Sequence, residues 1–226
     1  MVNTYKREIE NMHQNLDKSI CDNCKSVCEK EGISKKFKPY IGENYRKNKA
    51  RVLFIGKNAR GTCDYQKFAQ DQFAGQDRKF AFWSYIKDIT DKLEIHPEGV
   101  AITNLVKCNN STEDEGRNNG SSKDFTPHEV KENCIKRNNV IWKEIDILNP
   151  THIVLFTHHY YDKYLKGFIC IKNKTVDCGL RKIVWCEGKL ILTNGSSSQF
   201  LRTSHPQMKK KEDFVNLVSQ CILLNK

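Results

Sequence analysis

The chain has 226 residues, of which 38 are lysine or arginine and 27 are aspartate or glutamate, so its formal net charge is +11. With 38% hydrophobic and 29% charged residues, this composition excludes collagen-like, coiled-coil and disordered proteins and predicts one globular domain over residues 1–226. No stretch approaches the roughly 18 uninterrupted apolar residues of a membrane span. The charged first residues lack the apolar core of a secretion signal, which predicts a cytoplasmic protein without a membrane partner.

The positive charge is the first indication of a binding partner. A surplus of eleven charges attracts polyanions and raises their encounter rate, which favours nucleic acid as the partner. An anionic membrane surface is the weaker alternative, and a basic protein with neither partner is the simplest one. Nothing in the sequence indicates an obligate protein partner, so we expect a monomer.

An amphipathic helix over about residues 3–18 is the first predicted element, because Tyr5, Ile9, Met12 and Leu16 recur at helical spacing. Three cysteines follow this helix closely. A basic stretch without apolar periodicity then leads to the first apolar run of the chain.

Buried strands are predicted by short apolar runs, which are Arg51–Ile55, Val100–Val106, His152–Thr157 and Lys189–Thr193. Helical patterns lie between and after them, over Phe80–Leu93, from a capping box at Thr126–Glu129 to Leu148, and over Phe214–Ile222. This alternation predicts an α/β fold, a three-layer α/β/α sandwich with a central, mainly parallel, four-stranded sheet that binds ligands at the carboxyl ends of its strands. A polar run over residues 109–125 predicts a mobile surface insertion.

The cysteines indicate a metal site. Cys21 and Cys24 form a C-x2-C pair, whose thiolates can reach one metal from a single turn. Cys108 follows the second strand and Cys134 lies on the inward face of a helix, so the fold could bring both to the same place. Zinc and an iron–sulfur cluster both accept four thiolates. The alternative is that these are small buried hydrophobic residues, as we expect of Cys170, Cys178, Cys186 and Cys221, all of them free thiols in an intracellular protein.

Several of these features, taken in chain order, form a pattern. The C-x2-C pair, the strand-end loop Phe54–Gly61, the segment Thr103–Cys108, then Cys134 and finally His205–Pro206 resemble the uracil-DNA glycosylase superfamily, and its iron–sulfur branch most closely. The resemblance spans roughly residues 18–210. Its most specific element is the sequence TNLVKC joined to a downstream helix cysteine, because the same six residues supply a pocket group and a cluster ligand.

The resemblance implies a cofactor and a base-binding pocket. It implies that a 4Fe-4S cluster is bound by Cys21, Cys24, Cys108 and Cys134, with zinc (Zn) as the alternative metal and Cys28 as a possible substitute for Cys21. It further implies that Asn104 faces the Watson–Crick edge of a flipped base, that His205 hydrogen-bonds the base O2, and that Gly56 and Gly61 let the loop approach the sugar.

The loop after the first strand departs from the iron–sulfur branch. Lys57 occupies the position of the usual glutamate, and Asn58 matches the asparagine of the mismatch-specific and single-strand-selective relatives. Asn58 can orient the attacking water but cannot accept its proton, so catalysis would depend on positioning and on stabilising the departing base. We therefore expect a preference for bases that leave easily, such as uracil and other deaminated bases.

Aromatic side chains near this loop are candidates for stacking on the extruded base. Phe73 is our choice, because it lies in a loop after the catalytic strand, whereas Phe82 and Trp83 fall in a helical pattern typical of core residues. His158 and His159 follow the third strand, and without a carboxylate cluster beside them they are predicted to be solvated residues rather than a metal pair.

Long side chains supply the remaining predicted contacts to DNA. Gln207 and Met208 follow the His-Pro turn and would fill the gap that a flipped base leaves in the stack. Phosphate contacts are expected from Lys209, Lys210 and Lys211. Lys57 and Arg60 in the strand-end loop are also expected to contact DNA, a Schiff-base role for Lys57 being the alternative to a phosphate contact.

The sequence thus predicts a monofunctional DNA glycosylase that removes uracil or a related deaminated or modified base. A non-catalytic DNA-binding member of the same fold, in which Lys57 marks the loss of chemistry, is one alternative. An unrelated nucleic-acid-binding protein stabilised by zinc is the other.

Overall fold

The computed structural model describes residues 4–27, 38–58, 65–75, 81–108, 126–165, 167–178, 181–206 and 210–223. Its helices are α1 (Thr4–Gln14), α2 (Lys18–Val27), α3 (Tyr65–Ala74), α4 (Ala81–Lys92), α5 (His128–Lys131), α6 (Val140–Leu148) and α7 (Lys211–Leu223). Its strands are β1 (Tyr40–Ile41), β2 (Val52–Asn58), β3 (Val100–Val106), β4 (His152–Leu155), β5 (Phe168–Cys178), β6 (Arg181–Ile191) and β7 (Ser197–Arg202). Short 3-10 turns cover Tyr45–Lys47, Pro97–Gly99 and His159–Tyr164, and a π-helical turn covers Glu132–Arg137.

The strands form one mixed seven-stranded sheet in the order β1-β3-β2-β4-β7-β6-β5. Its centre consists of β3, β2, β4 and β7, which are mutually parallel. β1 is antiparallel to β3 at one edge, and the hairpin of β6 and β5 is antiparallel to β7 at the other. The α/β class is confirmed, and the predicted four-stranded sheet is wrong because β1 and the hairpin extend the parallel centre on both sides.

The fourth parallel strand is not the predicted one. The apolar run Lys189–Thr193 belongs mainly to β6, which is antiparallel, and β7 takes the parallel position beside β4. β7 has the sequence SSQFLR, so only Phe200 and Leu201 of its residues are strongly apolar. An apolar run shows that a strand is buried but carries no information on its direction, which depends on the strand that pairs with it.

Alternating side chains of the central strands serve two separate cores. Val52 and Phe54 of β2 pack with residues of α4 and α7 on one face of the sheet, while Leu53 and Ile55 pack with residues of α1 and α6 on the other. This period of two places helices on both faces, which is the three-layer arrangement that the alternation of elements predicts. None of the described helices is long and apolar enough to cross a membrane.

The predicted helices differ from the observed ones at two breaks. The N-terminal helix, predicted over about residues 3–18, ends at Gln14, because the Asp17 carboxylate accepts the backbone N–H groups of Ser19 and Ile20 and begins a second helix there. The long helix after the capping box is interrupted by the π-helical turn and by Asn139, whose φ of 53° is left-handed. The predicted polar insertion, residues 109–125, lies outside the described residues.

The prediction that Cys170, Cys178, Cys186 and Cys221 are thiols outside any disulfide is wrong for one pair. Cys170 of β5 and Cys186 of β6 form a disulfide, with a Cα–Cα distance of 6.1 Å. The antiparallel hairpin brings these residues to the ordinary spacing of a disulfide, and this pairing is set by strand register rather than by the local sequence. Cys178 and Cys221 are not part of this disulfide, and Cys178 is buried.

Candidate functional site

The carboxyl ends of the parallel strands converge on one edge of the sheet. Beyond the strands themselves, Phe156 N–H donates to the Ile55 carbonyl over 2.9 Å, and Thr203 N–H donates to the Leu155 carbonyl over 2.8 Å. These hydrogen bonds hold the residue after β4 against the end of β2, and the residue after β7 against the end of β4. The segment that contains His205 is therefore joined to the strand-end loop that contains the predicted catalytic residue.

Gly56 and Asn104 are neighbours across β2 and β3, where they are paired in the strand register. Asn104 is buried, with 6% of its surface exposed. A Cβ atom placed on Gly56 would overlap Asn104 Oδ1 and would lie 3.3 Å from the Phe82 ring. The absence of a side chain at Gly56 therefore makes room for the Asn104 amide, which is a more specific role than the loop approach to the sugar expected of this glycine.

Phe82 is the aromatic residue that the structure places at this site. Its ring stacks on the His205 ring with a centroid distance of 6.1 Å and an interplanar angle of 23°, and its edge faces Gly56. Phe73, the predicted stacking residue, packs instead against Trp83 at 5.8 Å and against Tyr40 at the same distance. Phe82 was expected to be a core residue, and its ring does pack against the core. Because it is the second residue of α4, the same ring also reaches the site.

Lys57 and Asn58, the last two residues of β2, are half-buried. Asn58 pairs with Val106 of β3, two residues beyond the Gly56–Asn104 pair on each strand. The Lys57 ammonium lies 6.0 Å from the centroid of the Tyr160 ring. The structure therefore brings Asn58, Asn104 and Gly56 to one sheet edge, and directs Lys57 toward an aromatic residue that the sequence did not single out.

The predicted DNA contacts lie partly outside the described residues, among them Arg60, Gln207, Met208 and Lys209. Lys210 is exposed and forms an ion pair with Asp213 at 3.3 Å. Lys211 forms an ion pair with Asp88 of α4 at 2.6 Å and donates to Ser84 Oγ over the same distance. Its ammonium therefore joins α7 to α4, and its predicted contact with a phosphate stays a prediction.

The elements that carry the predicted metal ligands pack together. α2 contains Cys21 and Cys24 and packs against the π-helical turn that contains Cys134. Two amides of this region donate to the sulfur atoms of α2. Asn133 Nδ2 donates to Cys24 Sγ over 3.2 Å, and Asn138 Nδ2 donates to Cys21 Sγ over 3.6 Å.

Cys108 belongs to the same region, because the backbone of Lys107 hydrogen-bonds the Cys134 thiol. Burial raises the pKa of Cys134 to about 11, against the lowering effect of Lys107, and burial also raises the pKa of Cys24. In the part of the chain that the structure describes, no group of three or more His, Cys, Asp or Glu side chains is arranged so that it could hold a metal ion. The donor set nevertheless fits a thiolate-bound metal, since four thiols and two N–H donors to sulfur occupy adjoining elements.

A buried charged network lies beneath Asn104. Glu144 of α6 is fully buried and accepts hydrogen bonds from Lys107 Nζ over 2.5 Å and from Thr103 Oγ1 over 2.8 Å. Its other oxygen lies 2.7 Å from His13 Nε2 of α1. Lys107 Nζ also donates to the backbone carbonyl of Asn104 over 2.5 Å, so the network fixes the backbone that carries the candidate base-reading amide.

The sequence analysis did not single out Glu144. Burial alone would raise the pKa of this carboxyl, but the adjacent Lys107 ammonium and His13 lower it below its usual value. The helical periodicity could have indicated that Glu144 is buried, because it falls on the same helical face as Ile141, Ile145 and Leu148, which are all buried. A carboxylate in an apolar helix face requires a buried partner.

A family model described as the uracil DNA glycosylase superfamily matches residues 43–218. The matched residues are more than half of the chain and include the strand ends around Gly56, Asn104 and His205. No curated protein matches the chain. α1 and α2 lie before the matched residues, although His13 of α1 is in contact with the network under the site.

Proposed function

Because the chain belongs to the uracil DNA glycosylase superfamily, we propose that it is a monofunctional DNA glycosylase that removes uracil or a related deaminated base. The observation that carries the proposal is the position of Asn104, whose buried amide lies against Gly56 at the carboxyl ends of adjacent parallel strands. Phe82 lies beside the same glycine, and its ring stacks on the His205 ring. The group combines an amide, an aromatic face and an imidazole, which are the side chains that an extruded base requires.

The Asn104 amide supplies base selectivity in this proposal. Its Oδ1 accepts a hydrogen bond from uracil N3–H, and its Nδ2 donates to uracil O4. Cytosine presents the opposite pattern, an acceptor at N3 and a donor at N4, so a fixed amide orientation disfavours it. The network of Lys107 and Glu144 holds the backbone of Asn104 and thereby limits its freedom to adapt to the wrong base.

His205 and Asn58 act on the bond that breaks. As the bond between C1′ and the base nitrogen breaks, its electron pair moves to the base, and an N–H of His205 donates to the developing negative charge on O2. Water adds to C1′ of the sugar, its proton passes to solvent, and the departing base anion takes a proton from solvent. Asn58 orients this water without accepting its proton, so the site acts by positioning and electrostatics.

The proposal extends to a cofactor, a 4Fe-4S cluster bound by Cys21, Cys24, Cys108 and Cys134. The packing of α2 against the π-helical turn and the amide hydrogen bonds to two cysteine sulfurs support it. Such a cluster would act as a covalent cross-link between these elements, since binding a metal group to four thiolates is coupled to folding. A zinc ion in the same donor set is the alternative.

The function is tested by incubating the purified protein with labelled oligonucleotides that contain uracil, hypoxanthine, xanthine or 5-hydroxymethyluracil, in single and double strands. We expect release of the free base and an abasic strand that alkali cleaves, with uracil or another deaminated base as the best substrate. Asn104→Asp changes the donor and acceptor pattern and should alter which base is accepted. The exposed residue Asn173 supplies the matched control, Asn173→Asp, which should keep the wild-type preference.

Binding of these oligonucleotides without release of any base would contradict the proposal and would favour a non-catalytic DNA-binding protein. The same assay in the presence of EDTA tests whether base release requires a free divalent cation. A monofunctional hydrolase needs no added divalent metal, so its activity should persist with the chelator.

A further inference from the structure

Three consecutive ring-bearing residues, the half-buried His158 and the exposed His159 and Tyr160, form a group that we call the aromatic patch. The ring centroids lie 4.1 Å apart for the two histidines, 4.6 Å for His158 and Tyr160, and 4.5 Å for His159 and Tyr160. The Tyr160 side chain is 61% exposed, although large apolar side chains are usually covered. The two histidine rings lie side by side because this segment is not α-helical.

The backbone of His158 has a conformation that favours glycine. Its φ is 58° and its ψ is −176°, a combination that an L-residue adopts only under strain. Two hydrogen bonds hold it there. His158 N–H donates to the Thr203 carbonyl over 2.9 Å, and Thr157 Oγ1 donates to the His158 carbonyl over 3.3 Å. A glycine would fit this turn without strain, so the presence of an imidazole indicates that its ring has a use.

The aromatic patch is joined firmly to the candidate site. It begins three residues after β4, and the hydrogen bond to Thr203 joins it to the segment that leads to His205. The turn that carries Tyr160 is also held by an ion pair of 3.0 Å between Asp162 and Arg202, the last residue of β7, of which only 7% is exposed. The patch therefore has a fixed position at the same sheet edge as the catalytic strand ends.

Cationic side chains lie near the aromatic patch, and Asp162, the acidic residue of its turn, is paired with Arg202. The Lys57 ammonium lies 6.0 Å from the Tyr160 ring centroid, and Lys163 on the same turn is exposed. The whole chain has a net charge of +11. An exposed ring face with adjacent ammonium groups is complementary to a nucleobase with its phosphates, because the base stacks and the cations neutralise the backbone. If the partner were instead a neutral apolar protein surface, these lysines would add no electrostatic attraction to it.

We propose that the aromatic patch is a stacking site for an unpaired nucleobase of the DNA strand that enters the site. This proposal rests on the proposed function only in taking DNA as the ligand. A base within a duplex has both faces covered by the adjacent bases. The Tyr160 ring can therefore stack only on a base that has one face uncovered. The patch therefore favours single-stranded DNA, or a strand opened beside the damaged base, over an intact duplex.

The test measures binding alone, with DNA that contains no excisable base. The affinity of the full chain for a fluorescent oligothymidylate is compared with its affinity for a blunt hairpin duplex of equal charge. Tyr160→Ala should weaken single-strand binding about 5- to 150-fold, which is the range for loss of one stacked base. Tyr160→Phe keeps the ring and should stay within about two-fold of the wild type, and neither change should alter duplex binding by more than that.

The matched control is Ile171→Ala on β5, where an equally exposed apolar side chain, 65% exposed, belongs to the edge hairpin. It should leave both affinities unchanged. His158→Gly supplies a second test, in which stability and single-strand affinity should change in opposite directions. The substitution relieves the backbone strain and removes one ring. It should raise the melting temperature and weaken single-strand binding, a combination that a merely structural role for His158 does not produce.

Two results would overturn the proposal. One is single-strand affinity in Tyr160→Ala equal to that of the wild type, which would leave protein docking as the use of the patch. The other is an equal loss on both forms of DNA, which would mean that the patch contacts only phosphates. Neither result depends on base release, so a failure here is distinguishable from a failure of the glycosylase assay.

Discussion

The side chain of Asn104 occupies the space that a side chain at Gly56 would need, because the two residues are paired across adjacent parallel strands. Gly56→Ala would therefore push the Asn104 amide away from its position. We expect the single-turnover rate of uracil release to fall about 10²-fold, which is typical of losing one aligned donor. The affinity for undamaged DNA should be unchanged, because neither residue is expected to contact the DNA backbone.

A double-mutant cycle separates this explanation from a general loss of stability. If Gly56→Ala acts only by displacing Asn104, it should have no additional effect in an Asn104→Ala background. Additive losses in rate would show that Gly56 has a second role at the site.

Asn58 and His205 are assigned to the transition state. Asn58→Ala and His205→Ala should each lower the single-turnover rate about 10²–10³-fold while leaving the dissociation constant for substrate DNA within two-fold. Asn173→Ala on the exposed face of β5 serves as the control. Wild-type rates in both active-site variants would refute the assignment.

Phe82 and Phe73 form a matched pair for testing which aromatic residue serves the site. Phe82→Leu should slow base release about ten-fold, because its ring lies between Gly56 and His205. Phe73→Leu should instead lower the free energy of unfolding by about 1 kcal/mol, since its ring packs on Trp83 and Tyr40. Urea unfolding and single-turnover rates, measured on both variants, check this. The reverse pattern would restore Phe73 as the stacking residue.

Glu144 is expected to stabilise the fold by keeping Lys107 and His13 in place. Glu144→Gln leaves the buried Lys107 ammonium without its counter-charge, which typically costs about 3–5 kcal/mol. Because the pKa of Glu144 is lowered in the folded chain, its contribution is present above the unfolded pKa of about 4.5 and is lost as the pH falls through the folded pKa. The difference in unfolding free energy between wild type and variant should therefore shrink below about pH 4.5.

Glu132→Gln is the control for this experiment, since Glu132 forms a surface ion pair with Lys136 at 2.8 Å. It should change stability far less than the buried substitution does. A Glu144→Gln protein as stable as the wild type at pH 7 would mean that the network is not held by charge.

The cysteine assignment predicts a coloured protein. Anaerobically purified chain should be brown and contain about four irons, as expected of a 4Fe-4S cluster. Cys134→Ser should lose both the colour and thermal stability, because metal binding is coupled to folding. Cys221→Ser on α7 is the control and should keep the cluster. A brown Cys134→Ser protein would exclude this residue as a ligand and favour Cys28, and a colourless wild type with one zinc would favour the zinc alternative.

Local sequence determined the elements whose signal lies within one segment. The apolar run at Arg51–Ile55 predicted β2, the run at Val100–Val106 predicted β3 with its observed bounds, and Thr103–Cys108 indicated the family that residues 43–218 match. Such signals are readable because a parallel strand that is buried on both faces has a continuous apolar run of its own. The α/β class followed from the order of these elements alone.

Tertiary structure decided every feature that depends on two distant segments. The direction of β6 and the Cys170–Cys186 disulfide depend on which strand pairs with which. Phe82 rather than Phe73 reaches the site because α4 begins beside Gly56, and the burial of Glu144 beside Lys107 requires α1 and α6 to pack on the same face of the sheet. These contacts join residues far apart in the chain, and the periodicity of one segment contains no information on the register, direction or packing partner of another.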